Sequence, residues 1–336
     1  MFDQLKTRKA SDLDDGLGIN ESNSALIDGS PSFHVAKKAK REPSMFLRLL
    51  ANSLSIKHNY RDPKDDALYD EFDEILNGDL SELDEMITSN VILDNFWDSI
   101  GYSLIENAVK AGLINIVKLL LKHADKSIMM VFTRYRHPLL KACLKGYVDI
   151  AKLLLEQGAD PNLHGETHDY DDITYLSYAC MANNSGMVEL LLKHGADPNL
   201  SDGPDQCPPL MQACQPDGLP VVRLLVDYGA DVNFSNPEFG TALTYVCGIG
   251  SLDMARLLLD GGADVNLIDS YGDTPLIAVC RDVEDEAQVT LIQLLLEHGA
   301  DPAIPDSQGR VALDYVTEGS ELAEMITNAQ LEHILK

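Results

Sequence analysis

The chain has 336 residues, 45% of them apolar and 24% charged, enough to bury a core of its own without disulfides, metals or an obligate partner. Its formal net charge of -28 argues against nucleic acid or anionic lipid as direct ligands, because affinity for those surfaces comes from Lys and Arg displacing counterions. No stretch approaches the roughly 18 apolar residues of a membrane span, and the first residues, Asp3 and Lys6 among them, hold no apolar leader core, so a soluble monomer of cytosol or nucleus is expected.

Residues 1–60 hold 9 Lys/Arg and 7 Asp/Glu, which leaves 17 and 47 for the rest and puts the acidic excess beyond residue 60. That field steers toward a protein partner, with a lean to a basic one. Residues 1–42 are rich in Ser, Asp, Gly and Lys without sustained periodicity, and are expected to be a disordered tail. Within it Lys37, Lys38, Lys40 and Arg41 form a cluster resembling a short nuclear-import signal, against the plainer reading of a solvated charge run. Residues 43–65 are expected to form an amphipathic helix and linker, with apolar residues at 46, 47, 49, 50, 54 and 56.

From residue 66 onward the chain is repetitive. A Gly-Ala-Asp triplet starts at Gly158, Gly195, Gly229, Gly262 and Gly299, in steps of 37, 34, 33 and 37. Leucines closing a Thr-Pro-Leu-like triplet fall in phase with it, at Leu139, Leu176, Leu210, Leu243, Leu276 and Leu313. Each unit reads as a polar turn, a short helix opened by Thr or Pro, a tight loop and a longer helix with a leucine stripe. Thr274-Pro275 marks a helix start, because Thr caps free N–H groups and Pro fits the first turn. Gly262 and Gly299 mark helix ends, where a left-handed residue satisfies the last carbonyls. One such unit cannot bury its apolar face alone, so the units must stack.

Gly272-Asp-Thr-Pro-Leu276, Ile292-Gln-Leu-Leu-Leu-Glu-His-Gly-Ala-Asp301 and Met254-Ala-Arg-Leu-Leu-Leu-Asp-Gly-Gly-Ala-Asp-Val-Asn266 closely resemble ankyrin repeats. The resemblance implies an all-α ankyrin solenoid over residues 66–336. Five clear repeats lie between about 133 and 305, a looser one at 99–132 and a degenerate one at 66–98, making about seven, and residues 306–336 form a C-terminal capping unit.

Cys143, Cys180, Cys214, Cys247 and Cys280 follow the repeat, four residues after each marker leucine, and read as reduced packing residues; Cys207 alone lies outside it. His123, His194 and His298 end second helices in the family pattern. His164, His168, Asp169, Asp171 and Asp172 sit in a lengthened finger, but nothing orients them as ligands, so no metal, cofactor or catalytic residue is assigned. Phosphate-loop, nucleophile-elbow and zinc-hydrolase motifs are absent from the sequence, and no enzyme is expected.

Ankyrin proteins bind through finger tips and the open side of the first helices, which line a concave groove. That implies partner-binding positions at Tyr170, Tyr178, Met181, Gln212, Phe239, Tyr245, Tyr271 and Arg281, joined by Lys141 and Gln215. Tyrosine is informative there, as rigid aromatics dominate interface energetics. A second insertion, Asp282-Val-Glu-Asp-Glu286, adds local negative charge. Asn233 and Asn266, each eight residues after a leucine, resemble the ankyrin asparagines modified by an iron-dependent hydroxylase. The expected function is therefore a non-catalytic adaptor or inhibitor that docks a protein. The alternatives are the substrate-recognition subunit of a ubiquitin ligase and a bacterial ankyrin effector acting on host proteins.

Overall fold

The computed structural model describes residues 81, 84, 88, 102–124, 137–165, 173–202, 207–236, 240–281 and 286–335. The tail with its basic cluster, the 43–65 segment, Tyr170, Phe239 and most of the 282–286 insertion lie outside the described residues. The chain divides into two compact units, one of Met1–Asp160 with Thr167–Asp169, the other of Pro161–Glu166 with Tyr170–Lys336.

The first unit contains two described helix pairs, α1 (Tyr102–Lys110) with α2 (Ile114–His123), and α3 (Pro138–Lys145) with α4 (Val148–Glu156). Helix α1 packs on α3 and α2 on α4, burying Ile105, Val109, Ile116, Leu120, Leu139, Leu140, Ile150 and Leu154. Asp84 accepts hydrogen bonds from Lys122 Nζ at 2.8 Å and from His123 Nε2. The hydrogen bonds from Lys122 and then His123 hold its carboxyl below the usual carboxylate range. His137 opens α3, its Nδ1 accepting from the Leu139 N–H at 3.3 Å, and burial pushes its pKa down to about 4, so it stays neutral.

In the second unit, helix pairs alternate with hairpin fingers. In chain order these are β1 (His164–Gly165) and β2 (Ile173–Thr174), α5 (Tyr175–Met181) and α6 (Ser185–Lys193), and α7 (Pro209–Ala213) and α8 (Leu219–Asp227). They are followed by β3 (Ser235–Asn236) and β4 (Gly240–Thr241), α9 (Ala242–Gly248) and α10 (Leu252–Asp260), and α11 (Pro275–Cys280) and α12 (Glu286–Glu297). A 3-10 turn at Ala312–Tyr315 and helix α13 (Glu321–Leu335) follow. β1 pairs antiparallel with β2 (His164 opposite Thr174), and β3 with β4 (Ser235 opposite Thr241).

The helix starts are built as the residue types require. The hydroxyls of Thr174, Thr241 and Thr274 accept the N–H groups of Ser177, Thr244 and Ile277 at 3.0, 3.1 and 3.2 Å. Gly262 and Gly299 end the second helices with φ of 91° and 85°. Helix α5 packs on α7 and α9 on α11, while α6, α8, α10 and α12 pack in series. Leu191, Leu225, Leu258 and Leu295 are each fully buried in that series.

A second stitch runs through the turns. Asn162, Asn199, Asn233 and Asn266 each reach into the following repeat, donating Nδ2–H to the carbonyls of Gly195, Gly229, Gly262 and Gly299 at 3.0–3.1 Å. The Oδ1 of each accepts the N–H of Asp197, Asp231, Asp264 and Asp301 at 2.7–2.8 Å. The ladder stops at Ala303, which stands where the preceding repeats carry Asn. Asn233→Ala removes one whole rung and is expected to cost about 1–2 kcal/mol, in line with two modest hydrogen bonds, read as a lower urea midpoint at unchanged slope. A midpoint equal to that of the parent chain would show the rung to be energetically idle.

Candidate functional site

Most residues of a first helix face the core, so register decides which side chains a partner meets. Counted from the marker leucine, the second residue onward is Tyr178 in α5, Gln212 in α7, Tyr245 in α9, Ala278 in α11 and Tyr315 in the terminal 3-10 turn. All five are half-buried, whereas the marker leucines of the helices, their other neighbours and the column cysteines are buried. Three residues further along lies a second column of Met181, Gln215, Gly248 and Arg281. Gln215 Nε2 donates to the carbonyls of Met181 and Gln212, at 3.1 and 2.8 Å, tying neighbouring repeats together. Lys141 holds the first-column position of α3 in the first unit and is half-buried too.

The finger over residues 268–273 supplies the most open apolar surface, with Tyr271 64% and Ile268 50% exposed. It is held rigidly. The Asp269 carboxylate accepts the N–H groups of Tyr271 and Asp273, both at 2.8 Å. Gly272, at φ 83°, brings the backbone so close to Ser307 that an added Cβ would lie 2.6 Å from its nitrogen.

Arg281 is already engaged inside the protein. Its Nη2 donates to Asp273 at 2.6 Å and lies 3.8 Å from Asp306, and its guanidinium sits 5.2 Å from the Tyr315 ring centre. Arg310 stacks on the same ring at 4.7 Å and pairs with Asp306 at 3.1 Å. The Tyr315 hydroxyl donates to the buried Asp306 carboxylate, which also accepts the N–H groups of Gln308 and Arg310. The tyrosine hydroxyl foremost, with the Arg310 and Gln308 donors, holds the Asp306 carboxyl well below its ordinary range. The cluster thus locks the Tyr271 finger to the C-terminal unit. Sequence reading had missed it, although Asp269 and Asp306, each seven residues before a marker leucine, were the available signal.

Asp202 behaves in the opposite way. Its Oδ1 accepts the Thr174 N–H at 2.7 Å, but its Oδ2 is buried without a hydrogen-bond donor, and burial pushes its carboxyl up to about 6. A raised carboxyl pKa means that the folded state holds its proton longer than the unfolded one, so stability from this group is full near pH 4 and falls as pH rises through 6. Asp202→Asn keeps the Thr174 bond and removes the charge. Its melting temperature is expected to match the parent at pH 4 and to exceed it by about 3 °C at pH 7. A variant that melts lower at pH 7 would overturn the assignment.

All six cysteines are free and buried. Burial pushes the thiols of Cys143, Cys214 and Cys280 up to about 12 and raises those of Cys180 and Cys247, so these five are protonated at neutral pH. Among the described residues no group of three or more His, Cys, Asp or Glu is placed to hold a metal ion, and no helix is long and apolar enough to cross a membrane. Of the three histidines at second-helix ends, His194 and His298 donate Nδ1–H back to the carbonyls of Leu190 and Leu294 at 2.9 and 2.8 Å.

A family model described as ankyrin repeats (3 copies) matches residues 77–164, 105–202 and 210–306. The chain belongs to the ankyrin-repeat family. A search of curated proteins by sequence returns no match. Among solved structures, the human ASB11 ankyrin repeat domain is 28% identical, with a TM-score of 0.51 over 67% of this chain and 96% of that one. An ankyrin repeat domain from Acinetobacter baumannii AYE is also 28% identical, with a TM-score of 0.51 over 58% and 96% of the two chains. The ankyrin repeat domain of Bcl-3, described as a unique member of the IkappaB protein family, is 22% identical, with a TM-score of 0.55 over 67% and 97%, a likeness of fold. Ankyrin repeats generally mediate protein–protein interaction. In this ankyrin chain Tyr178, Gln212 and Tyr245 share one helix register, Met181 and Arg281 the next, and Tyr271 tops a finger.

Proposed function

We propose that the chain is a non-catalytic adaptor or inhibitor that holds a protein partner on the first-helix and finger face of its second unit. The observation that carries this reading is the register itself: Tyr178, Gln212 and Tyr245 recur once per repeat at the half-open position of consecutive first helices, beside the exposed Tyr271 and Ile268. Aromatic side chains with one open edge are the residues that dominate interface energetics. The acidic balance favours a basic partner over a polyanion. We place the protein in cytosol and nucleus, with Lys37, Lys38, Lys40 and Arg41 as an import signal; changing the four to Ala should abolish nuclear accumulation of the full chain.

The test is proximity labelling in cells with the full chain and with a Tyr178→Ala/Tyr245→Ala/Tyr271→Ala variant whose helical signal and melting are unchanged. Selective loss of a few labelled proteins is expected. An unchanged labelled set would remove the face from consideration.

Asn233 and Asn266 are a separate matter. Their amides are held at both ends by the next repeat, so hydroxylation needs local opening of the turn. After incubation with an iron-dependent asparaginyl hydroxylase, intact mass should rise by about 16 Da per site, faster in a destabilised variant such as Leu225→Ala than in the parent chain. Equal rates in the two chains would mean that the rungs do not guard these residues.

A further inference from the structure

Residues 161–336 hold 6 Lys/Arg against 29 Asp/Glu, a net of -23, whereas residues 102–160 hold 9 against 5. The acidic surplus is therefore concentrated in the unit that carries the tyrosine face. Half of its six cations are already neutralised locally: Lys193 by Glu189 at 2.6 Å, Arg281 by Asp273 at 2.6 Å and Arg310 by Asp306 at 3.1 Å. Its carboxylates are periodic too, with Asp197, Asp231 and Asp264 exposed once per repeat. Their N–H groups are fixed by the preceding Asn and their Oδ1 atoms by the second residue onward.

The carboxylates recur at the repeat pitch and the edges of Tyr178 and Tyr245 at twice that pitch, with Gln212 between them, and a ligand that uses more than one repeat must match that spacing. Packed helices lie roughly 8–10 Å apart, and an extended or polyproline-type chain advances about 3.1–3.4 Å per residue. Three residues of extended chain span one repeat. We infer that the occupant of this face is an extended, Lys/Arg-rich segment of a partner protein whose cations recur every third residue, one per repeat. The inference rests on the reading that this face binds protein, and adds the chemistry and spacing of what is bound. A run of cations at that spacing places one on the edge of Tyr178 and, two repeats further along, another on the edge of Tyr245, in a field that attracts them. A helical segment, rising 1.5 Å per residue, would present a cation every six or seven residues instead.

The test uses the full chain and fluorescein-labelled 13-residue peptides, with Arg at every third position or with the same residues and Arg clustered at one end. By fluorescence anisotropy the periodic peptide should bind at least about fivefold tighter than its clustered isomer, and should lose about thirtyfold in affinity with the triple tyrosine variant, the size of one hot-spot truncation. Raising salt from about 50 to 500 mM should weaken both peptides, as screening requires, without erasing their ratio at any salt where both still bind. Equal affinity for the two isomers overturns the inference, since it leaves only nonspecific attraction to an acidic surface, and so does periodic-peptide binding unaffected by the tyrosine changes. The two proposals fail separately: proteins selectively lost in the labelling experiment but lacking cations at this spacing would sink the spacing and leave the binding face intact.

Discussion

Gly240→Ala should be among the most damaging single-methyl additions in the chain, costing about 3 kcal/mol in urea unfolding. Two effects add. Gly240 has φ 74°, which costs an L side chain roughly 1–2 kcal/mol, and its new Cβ would stand 2.3 Å from the Asp269 Cβ in the next finger, a distance that forces backbone displacement. Gly262→Ala separates these contributions. Its φ is 91°, yet nothing lies within 4 Å of the added carbon, so it should lose only the conformational part, about 1–2 kcal/mol. Gly240→Ala proving no worse than Gly262→Ala would mean that the two fingers do not interlock as described.

Leu225→Ala is the second large effect, expected at about 3 kcal/mol, within the 2–5 kcal/mol range for buried leucines. Leu225 is fully buried in α8, which packs between α6 and α10, and a cavity there faces both neighbours at once. Because repeat stability is a sum of unit and interface contributions, the loss should reach adjacent repeats, seen as faster amide exchange in α6 and α10 as well as α8. Leu331→Ala is the matched control. That side chain is 54% exposed on α13, and its change should stay within about 0.5 kcal/mol. Comparable losses at Leu225 and Leu331 would contradict the assigned core.

Much of this architecture was legible because it repeats. The in-phase leucines and Gly-Ala-Asp triplets located the described helix pairs from α3 onward, and Thr274 caps its helix as its residue type suggested. The cysteine column was also readable, since spacing alone made Cys143, Cys180, Cys214, Cys247 and Cys280 equivalent, and all are buried. The candidate face was half legible. Helical register identifies Tyr178, Gln212 and Tyr245 as outward, and they are half-buried rather than open.

The status of Arg281 was not legible at all. A cation at an outward register reads as a partner contact, and only the fold brings Asp273, Asp306 and Tyr315 around it. Side-chain networks that join distant positions leave no local period to detect. The asparagine rungs lie between these cases. Asp-x-Asn recurs visibly, yet its bonding across the repeat boundary depends on turn geometry.

Those rungs also give the array a direction. Each asparagine belongs to one repeat and completes the turn of the repeat that follows, never of the one before. A duplicated unit placed ahead of Ala303 would arrive with a donor behind it and an acceptor in front, and would splice into the stitching unchanged. The same unit placed after Ala303 would meet a turn with no amide to offer. A single alanine thereby ends the stitching on the carboxy-terminal side of the array.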